Sequence, residues 1–431
     1  MGRLVQHAAH PRAPGMCFAR GVRGAVPPHP SGSFGALGTQ LTESPENPGW
    51  FSMVSTERRL TPFASSALDG IRGAAALAVY LGHLRASLFV DAQEAHLGIV
   101  GKMIYYATGL GHQAVVVFFV LSGFLVGGSL LRTEPEPGRW RAYALARATR
   151  LYVVLLPALV LTLIIDYLGE VTFGKAGTIY GGELHGAALG SLQPATSTTI
   201  FFGNLLFLQP GLVPFLGTNS PLWSLSYEAW FYAAFPALCI IWQEKGWLHR
   251  ASVLGLIIFP SFVFSQFGMY FSIWLFGVAV AWLHQRRRRQ QIQLRRPLLV
   301  GAWLPFLFSL HASRVHARWI EGWYPDVVLG LTFAAGVFVL VGAPSDLQAR
   351  PRFARPLQSL AAMSFTLYCI HFPCVALAQA WLVRSHRMIP TPGTFGKAAL
   401  VASGIFVFAY LLARFTEGNT GRVKRRLAQL F

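Results

Sequence analysis

Apolar residues run through this chain in long blocks separated by short basic loops. The blocks fall at roughly 68–90, 112–131, 148–168, 222–243, 251–267, 269–285, 297–312, 326–342, 360–383 and 397–415. Most approach the roughly 20 residues a helix needs to cross a bilayer. Short alternating segments of the kind that build a membrane barrel are absent from the sequence. The pattern predicts an all-α, polytopic helical bundle with about ten transmembrane helices. A shorter apolar block lies at about 199–213.

The loops carry the orientation signal. Basic clusters occur at Arg286 to Arg289 with Arg295 and Arg296, and at Arg132, Arg139, Arg141 and Arg147. Others occur at Arg350, Arg352 and Arg355, at Arg422 to Arg426, and in the N-terminal segment. With about ten crossings all of these fall on one face, which positive loop charge marks as cytoplasmic. Counting 199–213 as a full span breaks that agreement, so it is read as re-entrant or partly inserted. Non-helical backbone at that depth needs a protein-lined cavity. Both termini are then cytoplasmic; a bacterial inner membrane is the expected location, apart from the charge count.

Residues 1–60 are rich in Pro, Gly, Ser and Arg without a sustained apolar period, and read as a disordered basic cytoplasmic segment. No signal-peptide core occurs there. Met53 opens MVSTERRLTPF and offers an alternative start. The membrane domain is expected over 61–418, followed by a basic cytoplasmic tail at 419–431. No internal repeat is evident, which argues against an inverted-repeat transporter.

Composition adds two exclusions. The chain is 53% hydrophobic and only 12% charged, which rules out one soluble core. The net charge of +19 is explained by topology-fixing loops rather than by a nucleic-acid partner. The four cysteines form neither CxxC nor CxxH, so neither a disulfide framework nor a metal site is expected, and they read as buried thiols. His311 and His316 also lack metal-ligand spacing.

Ionisable groups inside spans are costly and default to functional candidates. His83 lies deep in the first span, eleven positions after Arg72, or about 16 Å along a helix. It is either a general base for a hydroxyl or a histidine satisfied by a neighbouring helix. Arg147 and Arg150 share a helix face at i and i+3, either as topology anchors or as a phosphate clamp joined by Arg72. Glu228 sits a turn into its span; it pairs with His83 or snorkels to the rim. Ser224 and Ser226 are equally suited to bonding helix backbone. Ser122 and Gly123 suit close helix packing, and no GxSxG elbow supports a nucleophilic serine. His371 either lines the same cavity as His83 or is satisfied within the core. Glu417 ends the last span and reads as structural.

Seven stretches carry a family resemblance. They are LDGIRGAAALAVYLGH (68–83), VFFVLSGFLV (117–126), RATRLY (147–152), GNLLFLQ (203–209), PLWSLSYEAWFYAAFP (221–236), SFTLYCIHFP (364–373) and YLLARFTEG (410–418). In this order they resemble the acyltransferase 3 family of integral membrane acyltransferases. The resemblance implies acyl transfer from cytoplasmic acyl-CoA, acetyl-CoA in the simplest case, to a carbohydrate hydroxyl. Exopolysaccharide, lipopolysaccharide and lipid-linked oligosaccharide are the acceptors it suggests, with polysaccharide-assembly proteins as partners. It implies catalysis by His83 with Glu228, and donor binding by Arg72, Arg147 and Arg150. Trp223, Ser226 and His371 are the expected acceptor contacts. The alternatives are a transporter or flippase of a lipid-linked sugar, acylation of a small secondary metabolite, and an inactive membrane scaffold.

Overall fold

The computed structural model describes residues 60–132, 138–182, 194–243, 246–289, 296–315, 324–344, 351–383 and 386–430. The N-terminal segment with Cys17 and Met53, and also Arg295, His316 and Arg350, lie outside the described residues. So do the side chains of Arg288, Arg289, Arg296 and Arg352. Every expected apolar block falls on a helix or a helix pair, and no strand occurs among the described residues. Six helices among them are long and apolar enough to cross a membrane, with shorter apolar helices beside them. The chain is therefore an integral membrane protein with an all-α bundle.

Helix α1 spans Pro62–Leu88. Thr61 caps it by accepting from the Ala64 N–H at 3.2 Å, and Pro62 supplies a preset first turn. Its small residues seat it on α12, Pro351–Leu382. A Cβ at Gly70 would meet Leu357 at 3.2 Å, and one at Gly73 would meet Leu360 at 2.6 Å. Both pairs have the same offset in sequence, so α1 and α12 run parallel in fixed register. That register, carried up the helices, brings His83 level with His371 to within one residue.

After α2 (Ile99–Ala107), helix α3 starts at Gly111–Ser122, passes a π-turn at Gly123–Gly127 and ends at Gly128–Arg132. Helix α4 is Arg139–Phe173. The block at 199–213 contains only α5, Thr198–Leu205, eight residues and about 12 Å long. That is too short to cross a bilayer, in agreement with partial insertion.

The irregular backbone after α5 is held by buried side chains. Asp166 of α4 accepts from the Thr218 N–H at 2.7 Å and the Thr218 hydroxyl at 2.8 Å. Asn204 donates to the Ile200 and Pro214 carbonyls and accepts from the Leu216 N–H. Asn219 donates to Thr162 Oγ1 and to the Cys369 carbonyl, both at 2.9 Å. These bonds satisfy backbone that lipid would leave unpaired. They also fix where α6, Trp223–Gln243, begins.

Then follow α7 (Trp247–Val263), α8 (Phe267–Arg289), α9 (Arg296–Gly301), α10 (Trp303–Val315) and α11 (Tyr324–Val341). Helices α3 and α8 cross at glycines. A Cβ on Gly123 would lie 1.9 Å from the Trp274 carbonyl, and one on Gly277 would lie 2.0 Å from the Val120 carbonyl. The packing role expected for Gly123 is borne out. Helix α13, Pro392–Phe415, starts in a capping box of Thr391 and Thr394. Glu417 then accepts from the Thr366 N–H and hydroxyl at 2.9 and 2.8 Å, tying the chain end back to α12.

One expectation is corrected, and one segment gains a structure. The basic tail forms a helix: α14 spans Thr420–Leu430 and packs on α4. Val423 and Leu427, four apart, are half-buried while Arg422, Arg425 and Arg426 are exposed. Among the described cysteines, Cys369 is buried, but Cys239 and Cys374 are only half-buried free thiols.

The glycine crossing gives a test. Gly277→Ala should force α3 from α8 and destabilise by about 1–3 kcal/mol. Gly404→Ala, whose Cβ meets nothing within 4 Å, should leave stability unchanged or slightly raised. Thermal unfolding of purified protein in one detergent checks both. Equal melting temperatures for Gly277→Ala and the parent would reject the crossing.

Candidate active site

Two cavities enter the bundle from opposite ends of α1. One is lined by Arg72, Ser122, Arg150, Glu228 and Tyr232. The other, of about 290 Å³, is lined by His83, Arg85, Thr108, His112 and Trp223. Val115 and Tyr368 border both, so the cavities meet there. The Tyr368 hydroxyl is held by the Pro221 carbonyl at 2.8 Å and by Ser224 Oγ at 2.5 Å.

At the arginine end, Arg72 Nη2 donates to Asp69 Oδ1 at 3.0 Å, one helical turn earlier. A hydrogen-bonded chain leads to Glu228. Trp274 Nε1 donates to Ser122 Oγ at 3.1 Å, and Ser122 lies 3.2 Å from the Tyr232 hydroxyl. Tyr232 donates to Glu228 Oε1 at 2.5 Å. With both outer donors fixed, the Ser122 proton is directed at the Tyr232 oxygen. The π-turn starts at the residue after Ser122; such turns recur at functional sites.

At the histidine end, His83 Nδ1 lies 2.8 Å from His371 Nε2, with the rings inclined by only 9°. His371 Nδ1 lies 2.7 Å from the Tyr368 carbonyl and 3.1 Å from the Leu367 carbonyl. Carbonyl oxygens only accept, so His371 Nδ1 carries its proton. In the neutral ring His371 Nε2 is then bare and must accept from His83 Nδ1–H. This assignment, drawn from the bonding pattern, leaves His83 Nε2 with a free lone pair. The buried chain from backbone carbonyl through His371 to His83 thus presents a base at one fixed atom.

Most of the expected site residues converge, with three changes. Glu228 does not pair with His83. It lies five residues beyond Trp223, about 7.5 Å down α6, and so reaches the arginine cavity instead. Arg147 lines neither cavity. Its guanidinium lies over the rings of Tyr143 (5.8 Å) and Tyr232 (6.0 Å), with Nε and Nη1 buried and not hydrogen-bonded. It therefore backs Tyr232 while Arg72 and Arg150 face the space. Ser226 is fully buried away from both cavities, and Ser224 lines the arginine cavity. Trp223 and His371 sit at the histidine end as expected.

Sequence reasoning missed several groups. Asp166 was hidden within an apolar block, although a lone acid in a span is itself a signal. Arg85 follows His83 by two residues and lines its cavity. His112 Nε2 bonds Asp326 Oδ2 at 2.7 Å across a gap of 214 residues, which no spacing rule detects. No group of His, Cys, Asp and Glu suited to a metal occurs among the described residues.

Such a passage through a helical bundle, with cations at one end and a prepared imidazole at the other, defines a membrane protein built around a polar internal route. The chain belongs to the acyltransferase domain family, whose model matches residues 65–414. It is 31% identical over 208 residues to acyltransferase MdmB of Streptomyces mycarofaciens, covering 46% of this chain and 46% of that protein. It is 24% identical over 378 residues to peptidoglycan O-acetyltransferase OatA of Listeria monocytogenes, covering 81% of this chain and 54% of that protein. The chain spans about half the length of the curated relatives it matches. No solved structure matches it.

The tautomer assignment is directly measurable. In 15N-histidine-labelled protein above the imidazole titration range, His371 should be protonated on Nδ1 and His83 on Nδ1. His371→Gln and His83→Gln variants assign the two signals. An Nε2-protonated His83 in the parent would overturn the assignment.

Proposed function

We propose that the protein is a membrane O-acyltransferase that moves an acyl group from acyl-CoA to a carbohydrate hydroxyl. The single observation behind this reading is the His371–His83 chain, which leaves Nε2 bare on a side chain that lines a cavity meeting an arginine-lined one. The family membership supports acyl transfer, and the similarity to OatA, a peptidoglycan O-acetyltransferase, supports acetyl as the group and a glycan as the acceptor.

In this reading the arginine end faces the cytoplasm of a bacterial inner membrane, with both termini on that side. The loop charge bias supports that orientation. Arg72 and Arg150 hold donor phosphates, which guanidinium groups match in charge and geometry. Arg147 keeps Tyr232 and Glu228 in place behind them. The thioester extends toward Tyr368, over a reach that the rise of α1 sets at about 16 Å from Arg72 to His83.

His83 Nε2 removes the proton of the acceptor hydroxyl as its oxygen attacks the thioester carbonyl. The positive charge then formed on His83 is stabilised by its Nδ1–H bond to His371. Collapse of the tetrahedral intermediate breaks the carbon–sulfur bond, and the leaving thiolate takes the proton back from His83. The products are an ester and free CoA, and the imidazole is neutral again. At the junction of the cavities the Tyr368 proton is held by the Pro221 carbonyl and the Ser224 proton by the Tyr368 oxygen, so this pair shapes the passage rather than supplying the oxyanion donors. His371 is a positioning residue: it fixes the His83 tautomer and does not touch substrate.

Acceptor-dependent release of CoA thiol by purified protein tests these roles. His83→Ala should lower kcat by about 10²- to 10⁴-fold, the usual contribution of a general base. Arg150→Ala should mainly raise KM for acyl-CoA. Undiminished turnover by His83→Ala would reject the base. Substrate movement across vesicles with no thiol release would favour a transporter.

A further inference from the structure

The His83 cavity has a guanidinium group in its own wall, toward the opposite end of α1 from Arg72, with others close behind. Arg85 lines this cavity directly, its guanidinium 4.8 Å from the centre of the Tyr105 ring. Arg314, from α10, lies against Gly109, another residue of the cavity wall. A Cβ at Gly109 would come within 2.4 Å of Arg314 Nη2, so glycine is what lets that guanidinium reach the wall. Arg387 stands nearby, and Arg85 feels the charges of Arg314, Arg387 and Asp91.

These charges do not balance. Among the described residues, three guanidinium groups stand near one carboxylate, Asp91, and Arg387 holds it with both Nη atoms, each at 3.2 Å. Arg387 Nη1 also donates to the Phe89 carbonyl at 3.1 Å. Asp326, on α11, is turned to His112. Arg85 Nε and Arg314 Nε are buried and not hydrogen-bonded. Buried guanidinium donors left without acceptors are costly, and like charges brought together raise the cost. The arrangement is stabilised by an added anion with planar or tetrahedral oxygens.

We propose that the acceptor carries an anionic group, a carboxylate or a phosphate on the sugar, held by Arg85 and Arg314. A neighbouring hydroxyl of the same molecule is thereby set against His83 Nε2. The identity of this ligand as acceptor rests on the acyl-transfer reading above. The anion site itself rests on Arg85, Arg314 and the cavity. Its position at the histidine end separates it from the donor arginines. The protein would then recognise its acceptor by charge at one end of the passage and its donor by charge at the other. A neutral sugar would leave the Arg85 and Arg314 donors unmet and bind weakly, because buried unpaired donors penalise an analogue strongly.

The test is equilibrium binding of three probes to the purified full chain in uncharged nanodiscs, by ligand-observed NMR. The probes are methyl β-glucuronide, glucose 1-phosphate and methyl β-glucoside. At least one anionic probe should bind tenfold or more tightly than the glucoside, and which one does so separates carboxylate from phosphate. Saturating CoA should not displace it. Arg85→Gln and Arg314→Gln should each abolish the preference, and Arg85→Lys should keep part of it. The comparison of probes on the parent protein needs no variant, so a misfolded variant leaves the test intact. Equal binding of charged and neutral probes, or displacement by CoA, would overturn the proposal. An anion preference without acceptor-dependent thiol release would instead defeat the acyl-transfer reading and leave the anion site standing.

Discussion

A polar group inside a membrane protein must find its partner within the protein, and the His83–His371 bond is the point on which this structure turns. Two imidazoles on different helices meet at 2.8 Å only if those helices are parallel and held in register. The register comes from residues without chemistry of their own: Gly70 and Gly73 admit Leu357 and Leu360, and the two helices close on each other. Packing thus decides which nitrogen is basic. A slip of one residue would rotate each side chain by about 100° around its helix and dissolve the pair.

The same constraint organises the other end. Glu228 is kept in a half-buried position by Tyr232, whose ring in turn lies under Arg147. Ser122 and Trp274 extend that chain into the glycine crossing of α3 and α8. Close backbone contact and polar satisfaction are therefore coupled: Gly123 sits next to Ser122, and Trp274 contributes both its carbonyl to the crossing and its indole to the hydrogen bond. Asp166, Asn204 and Asn219 perform the corresponding task for the irregular segment before α6. That segment ends next to Trp223, on the histidine cavity.

Much of this was legible in the sequence. Apolar block lengths gave the helices, because spanning hydrocarbon demands long uninterrupted runs. Motif order brought Arg72, Arg150, His83, Trp223 and His371 into consideration, and all of them lie on or beside the two cavities. The bonding pattern was not legible. Glu228 and His83 are both isolated ionisable groups in spans, which suggested a pair, yet pairing depends on height along α6 and on which helix faces which. Arg147 and Arg150 share a sequence face, but only Arg150 reaches the cavity, since aromatic rings of α4 and α6 capture the other. Arg85, Arg314 and Arg387 come from three distant parts of the chain and were invisible as a group. Val423 and Leu427 carried a helical period that the surrounding arginines masked.

Tyr368 stands where the two cavities meet, fastened by Pro221 and Ser224 and set edge-on to Phe118. A polar route that enters a helical bundle from two ends is also a route for ions. Across an energised membrane each unit charge that leaked would dissipate about 2.3 kcal/mol per 100 mV. The tethered Tyr368 ring stands at that junction, with Val115 also bordering both cavities and Phe118 on the arginine side. A side chain fastened at that point narrows the route where the two cavities meet, and so works against such a leak.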